Sequence, residues 1–267
     1  MNIKRVKLLA FSVIAFLSFA ACEDDNSTES NGTGTSASAP AKKLKKIEFL
    51  INGQPSPNNE SYNYVWNGDY LKSVTIHNVS FEGDVVFTFS YSGGKLTKCN
   101  YSCEEDERST EWVYTWNGDQ IATEKETNME YGETDVTTYH YSYTDGKVTR
   151  ITEYWNDDPE PEYTNIIYSG NNVIQFDFED EDDDNVTFSY DNKKNPLYLP
   201  KMGFAPSILQ LGYYTICWSE NNITGGSNLN SDENLNLTYT YDDDGYPTSM
   251  SFIVDNMTVT LQYTYYE

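Results

Sequence analysis

Residues Tyr64–Ile76 read Y-V-W-N-G-D-Y-L-K-S-V-T-I. Aromatics alternate with Val65, an Asn-Gly pair follows, and apolar residues then resume. Alternation places Tyr64 and Trp66 on one face of a strand. Asn-Gly supplies the positive φ values that a type I′ turn requires, so the stretch predicts a β-hairpin. Whether it is an isolated hairpin or one unit of a larger array decides the fold.

The phrase recurs: W-N-G-D at 66, Y-S-G-G-K-L at 91, W-N-G-D-Q-I at 116, Y-T-D-G-K-V at 143, Y-S-G-N-N-V at 168, Y-D-N-K-K at 190, W-S-E-N-N-I at 218 and Y-D-D-D-G at 241. From Trp66 to Tyr241 there are 175 residues in seven steps, a mean period of 25. Two residues before these anchors stand Tyr64, Phe89, Tyr114, Tyr141, Ile166, Phe188, Ile216 and Tyr239. Five residues after them stand Leu71, Leu96, Ile121, Val148, Val173 and Ile223; Asn195-Pro196 and Tyr246-Pro247 break the pattern in the sixth and eighth units. Eight units in register make the hairpin a repeat.

Each unit is strand, tight turn, strand and longer loop. The sequence therefore predicts an all-β, up-and-down antiparallel meander of about eight hairpins. Twisted sheets of more than about ten strands curl, split or close. In V-F-T-F-S-Y, Phe87, Phe89 and Tyr91 share one face and Thr88 and Ser90 the other. Burying the aromatic face curls the meander into a barrel or half-barrel. Residues 195–217, N-P-L-Y-L-P-K-M-G-F-A-P-S-I-L-Q-L-G-Y-Y-T-I-C, are expected as a short helix (around 206–211) or irregular plug, inside or across the opening.

The N-terminus follows other rules. Lys4, Arg5 and Lys7 precede an apolar run, Leu8–Phe19, which ends in Ala20-Ala21-Cys22. The run is short for a transmembrane helix, which needs about 20 residues, and has the layout of a cleaved signal. It resembles a bacterial lipoprotein signal, in which Cys22 becomes the lipidated first residue. Glu23, Asp24 and Asp25 then resemble the surface-export signal of Bacteroidetes lipoproteins, and residues 22–41 read as a flexible tether before a domain at 42–267. An outer-membrane lipoprotein exposed on the cell surface is the expected location, with the periplasmic face as the alternative.

The formal charge is −25, and removing residues 1–21 takes away three cations and no acid. Such a balance argues against nucleic acid, whose affinity rests on Lys and Arg, and against electrostatic adhesion to anionic lipid. The acyl group is then the membrane link. Besides Cys22 there are three cysteines, Cys99, Cys103 and Cys217, an odd number. Cys99 and Cys103 lie about 13 Å apart on one strand at 3.3 Å per residue, too far for a disulfide, so three buried free thiols are expected, with one bridge from Cys217 to either as the alternative.

Together, the lipidation signal, the tether, the Y-x-W-N-G-D and Y-S-Y-x-x-G-K hairpins, the N-P break and S-E-N-N-I resemble a family of Bacteroidales lipoproteins carrying a domain of unknown function with a porin-like fold. The resemblance spans about 44–267 and implies a large antiparallel sheet, but no activity. Y-T-Y-D-D-D-G-Y-P also resembles the tyrosine-rich YD repeat of Rhs-type proteins, more weakly.

Candidate sites lie in the long loops. Acidic runs occur at Glu104–Glu107, Asp157–Glu160 and Glu179–Asp184, and Asp180, Asp182 and Asp184 are candidate calcium ligands, although no run has the spacing of a calcium loop. Trp112, Tyr154 and Trp155 are candidate platforms for a glycan, and the same residue types are expected in the core of such a sheet. His77 and His140, the two histidines, lie in no catalytic motif. The function read from the sequence is a non-catalytic binding or structural module of the envelope, without a cofactor, with a glycan or envelope protein as partner. A glycan-active enzyme using loop carboxylates and a calcium-stabilised adhesin stand as alternatives.

Overall fold

The computed structural model describes residues 42–57, 60–77, 83–103, 108–156, 160–179, 185–202, 217–228, 234–254 and 256–267. They form one antiparallel sheet of eighteen strands, with no helix among the described residues. β1 (Leu44–Ile51) is followed by the short β2 (Gln54–Pro55) and by β3 (Ser61–Asn67), which pair successively along the same side of β1. The hairpins then run in order: β4 (Tyr70–His77), β5 (Val85–Ser92), β6 (Lys95–Cys103), β7 (Ser109–Asn117), β8 (Gln120–Glu130) and β9 (Glu133–Thr144). They continue through β10 (Lys147–Trp155), β11 (Glu162–Ser169), β12 (Asn172–Phe178), β13 (Val186–Lys194) and β14 (Asn221–Asn228). The last strands are β15 (Asn234–Asn236), β16 (Thr238–Tyr241), β17 (Pro247–Val254) and β18 (Met257–Tyr265).

The meander returns on itself, because β18 pairs with β1 from Leu44↔Tyr265 to Ile51↔Val259. The sheet is thus barrel-shaped, as the repeat predicts. Its thinnest seam is β12–β13, where Gln175↔Thr187 and Phe176↔Val186 are the paired residues.

A bulge in each hairpin explains the spacing of the repeat. Trp66 pairs with Leu71 and Val65 with Ser73, leaving Lys72 over; Tyr91/Leu96 leaves Thr97, Trp116/Ile121 leaves Ala122, and Tyr168/Val173 leaves Ile174. The extra residue shifts the side-chain alternation by one. Positions five and eight after each anchor therefore both face inward: Leu71 with Val74, Leu96 with Cys99, Val148 with Ile151 and Val173 with Phe176 are all buried. The turns require positive φ, and Gly68 (φ 54°) and Gly118 (φ 57°) supply it in the two Asn-Gly pairs.

The anchors link one hairpin to the next. The Trp116 indole Nε1–H donates to the Leu96 carbonyl at 2.7 Å, and the Tyr190 hydroxyl donates to that of Val173, in each case the residue five after the preceding anchor. Around the closure, Trp66 donates to the Leu44 carbonyl and Tyr265 to that of Pro247, both at 2.8 Å. Lysines after the turns reach the same way. Lys95 lies 5.7 Å from the Trp116 ring centroid and donates to the Gly118 carbonyl; Lys147 lies 5.3 Å from that of Tyr168 and donates to the Gly170 carbonyl.

The inward face is apolar and packed, with Tyr64, Phe87, Trp112, Phe176 and Leu261 among its fully buried side chains. The described parts of the interruption between β13 and β14 lie within it: Asn195, Leu197, Met202, Cys217, Trp218 and Ser219 are buried. Trp218 meets the Tyr141 ring of β9 edge-on and donates its indole N–H to the Met202 carbonyl. Burial raises the Tyr64 phenol of β3, with smaller electrostatic contributions from Tyr62, Tyr263 and Cys217. The helix expected around 206–211 lies outside the described residues. The three thiols Cys99, Cys103 and Cys217 are free and buried, and burial pushes the Cys217 thiol up to about 12. The outer wall carries Thr88, Lys98, Thr115, Lys125, Arg150 and Gln175.

The strands deliver two unlike rims. Tight turns at Gly68–Asp69, Gly93–Gly94, Gly118–Asp119 and Asp145–Gly146 occupy one, which we call the turn rim; the longer connections lie at the other, the loop rim. Replacing Trp116 by Phe removes the link to Leu96 while keeping an aromatic ring. Leaving a carbonyl unpaired costs about 1–3 kcal/mol, so thermal unfolding of W116F is expected to fall by about 3–8 °C. An unchanged melting temperature would show that the indole hydrogen bond does not tie the hairpins together.

Candidate functional site

On β8 the repeat puts acids where its neighbours put apolar groups. Glu124 stands eight after its anchor, the position of Val74, Cys99, Ile151 and Phe176 in other units. Two residues on, Glu126 shares its face. Glu124 is fully buried and accepts hydrogen bonds from Tyr114 (3.4 Å to Oε1) and from the Tyr141 hydroxyl. Glu126, half-buried, accepts at Oε2 from the Trp112 indole at 3.0 Å and the Tyr139 hydroxyl at 3.1 Å. The donors come from β7 and β9, which flank β8 in register: Trp112 opposite Glu126, and Tyr114 and Tyr139 opposite Glu124.

Burial pushes the Glu126 carboxyl above its ordinary 4.5, and the Trp112 and Tyr139 hydrogen bonds pull the other way. Burial likewise raises the Tyr139 phenol, reinforced by Glu126, Glu153 and Glu124. These carboxylates are engaged by phenol and indole donors, which suits a structural polar network better than a reacting pair. Among the described residues, no group of three His, Cys, Asp or Glu side chains is arranged to hold a metal ion.

Toward the loop rim, inward-facing Glu153 accepts from the Trp155 indole at 2.6 Å and stands opposite Glu162 of β11. Trp155 is 40% exposed. It is the member of the aromatic trio that a ligand can reach from the mouth of the barrel. Trp112 is corrected: it is 1% exposed, stacks 6.3 Å from Phe87 and belongs to the core, because its position two before Tyr114 lies on the inward face. Tyr154, adjacent to Trp155, is carried to the outer wall, where its ring meets His140 edge-on at 5.5 Å. The trio therefore forms no common platform; consecutive strand residues point to opposite faces. Asp180, Asp182 and Asp184, together with the runs 104–107 and 157–159, lie outside the described residues, as does Cys22.

Sequence reading missed Glu124 and Glu126. The available signal was their place in the repeat, since acids in a slot that is otherwise apolar must be either paired or functional. His77, which is in no catalytic motif, has its Nδ1 2.6 Å from Asp84 Oδ1 at the loop rim.

Glu126 carries a pH dependence of known sign. Its carboxyl is raised in the folded state, so the unfolded chain releases that proton first, and between the two pKa values the native state holds more protons. Stability from this group is fully present below the ordinary value and falls as pH rises through the folded one. E126Q, which keeps an acceptor for Trp112 and Tyr139, is expected to flatten the fall in urea-unfolding free energy as pH rises above about 4.5. An unaltered slope would assign the dependence to another group.

Neither a protein-family model nor a curated protein matches the chain in sequence. Among solved structures, it is similar to a porin-like protein from Bacteroides uniformis, with a TM-score of 0.56 and 20% identity over 86% of this chain and 99% of that one. A porin-like protein from Bacteroides vulgatus aligns over 84% of this chain and 99% of its own, at 12% identity and a TM-score of 0.41. The first likeness is one of fold: a barrel-like sheet of this size.

Proposed function

We propose that this chain is a lipid-anchored protein of the bacterial envelope whose barrel serves as a non-catalytic binding or structural module. The observation that carries this reading is the filled barrel with a polar wall. Trp112, Phe87, Tyr64 and the plug residues Leu197 and Trp218 occupy the interior, which leaves recognition to the rims rather than to a channel. A membrane-spanning barrel would instead show an apolar band outward and polar residues in the lumen. Lys98, Lys125 and Arg150 on the outer wall are the reverse of that pattern.

With such a wall, attachment falls to the N-terminal sequence. Cys22, after the basic and apolar segments, is the acylation site in this reading, and the outer membrane is the place it would hold the protein, at the cell surface or facing the periplasm. C22S is expected to move the protein from the membrane pellet to the soluble fraction and to abolish labelling by a fatty-acid analogue. A membrane-bound, unlabelled C22S protein would overturn the anchor.

The partner favoured by the structure is a glycan at the loop-rim mouth, since Trp155 offers an accessible indole beside the Glu153 carboxylate. Screened against host and dietary oligosaccharides, the wild type is expected to bind one class without turnover. W155A should weaken that binding at least about tenfold, equivalent to about 1.4 kcal/mol. Equal affinity in W155A would remove the glycan reading of this rim.

A further inference from the structure

The chain enters the barrel at the turn rim, and several contacts hold it there. Lys42 Nζ lies 2.7 Å from Asp242 and 2.6 Å from Asp244, in the turn between β16 and β17. Lys43 Nζ lies 3.1 Å from Asp69 in the turn between β3 and β4, and its carbonyl accepts the Tyr266 N–H at 2.9 Å. The Asp242 carboxylate is organised for this role, because its Oδ1 accepts the backbone N–H groups of Asp244 and Tyr246. Lys42 and Lys43 are therefore clamped to one end of the barrel.

Charge is divided between the same two ends. Lysines gather at the turn rim, with Lys42 and Lys43 at the entry, Lys95 and Lys147 just past their turns, and Lys193 and Lys194 at the end of β13. They partly offset the turn acids Asp69, Asp119, Asp145, Glu220, Asp242, Asp243 and Asp244. Toward the loop rim, by contrast, Arg108 pairs with Glu130 at 3.8 Å, and Arg150 reaches from the outer wall to Glu179 at 3.0 Å. The same rim also carries Glu60, Asp84, Glu133, Asp135 and Glu160.

We propose that the turn rim is the surface that lies against the membrane, with the lipid phosphate headgroups as its partner, and that the acidic loop rim faces away. The proposal rests on the anchor at Cys22. Nineteen residues, 23–41, separate that cysteine from Lys42. A chain of that length spans on the order of 25 Å as a coil and at most about 70 Å fully extended. The rim where it emerges, the one that carries the lysines, is thus held close to the bilayer. An anionic headgroup layer repels the loop rim within a Debye length, about 8–10 Å at physiological salt, and repels the lysine-bearing turns less. The mouth that carries Trp155 then opens toward the medium, where a soluble ligand can reach it.

The test uses the full lipidated chain in vesicles of phosphatidylethanolamine and phosphatidylglycerol containing an acceptor-labelled lipid. A donor fluorophore is placed at D119C on the turn rim or at Y131C on the loop rim; the barrel's native thiols are buried and stay unlabelled. The two sites lie about one strand apart, roughly 40 Å at 3.3 Å per residue, so energy transfer from position 119 is expected to exceed that from 131 by at least about twofold. Equal transfer, or stronger transfer from 131, would overturn the orientation. Absence of acyl label on Cys22 would overturn the anchor and the orientation together, an outcome scored by labelling rather than by fluorescence.

Discussion

The structure depends on anchor aromatics, Trp66, Trp116 and Tyr190 among them, that satisfy backbone carbonyls of the neighbouring strands. A meander this long has many places where register can slip, and a slip of one residue would turn every inward ring outward. The indole of Trp116 on the Leu96 carbonyl and the phenol of Tyr190 on that of Val173 lock successive hairpins at a fixed offset. Trp66 on Leu44 and Tyr265 on Pro247 apply the same lock where the last strand meets the first. Tyr and Trp serve because they join a large apolar body to one polar tip.

That lock has a consequence for the interior. Once the alternation is set, the inner face is crowded with aromatic and branched side chains, and Leu197, Met202, Cys217 and Trp218 from between β13 and β14 are buried with them. The result shares a barrel-like sheet with a porin-like protein, yet its apolar side faces in and its polar side out. The two rims differ: one carries two-residue turns such as Gly68–Asp69 together with the Asp242–Tyr246 turn, and the other joins the tight Tyr131–Gly132 turn to longer, acid-rich connections.

Much of this was legible from the chain. The period of 25, the Asn-Gly turns and the aromatic alternation predict the all-β meander and its curling, and they do so because turn chemistry and strand periodicity are local properties. That Cys99 and Cys103 do not bridge each other was also legible, since four residues along a strand is a fixed distance; whether Cys217 bridges either of them was not. The sites were less so. Trp112 and Trp155 look alike in sequence, both being near long loops; the strand's inward phase buries one, while the other lies close enough to the mouth to stay exposed. Tyr154 and Trp155 are neighbours in the chain and sit on opposite faces.

The sequence by itself determined the repeat, the strands, the turns and the charge, because each follows from residues close together along the chain. Only the tertiary structure decided that the ladder returns to β1, that Glu124 and Glu126 lie under phenol and indole donors, and that the chain enters at the turn rim beside Asp69 and Asp242. Those outcomes depend on bulges that shift the phase and on partners up to 200 residues apart, such as Lys42 and Asp242. Neither leaves a mark in any single window of sequence.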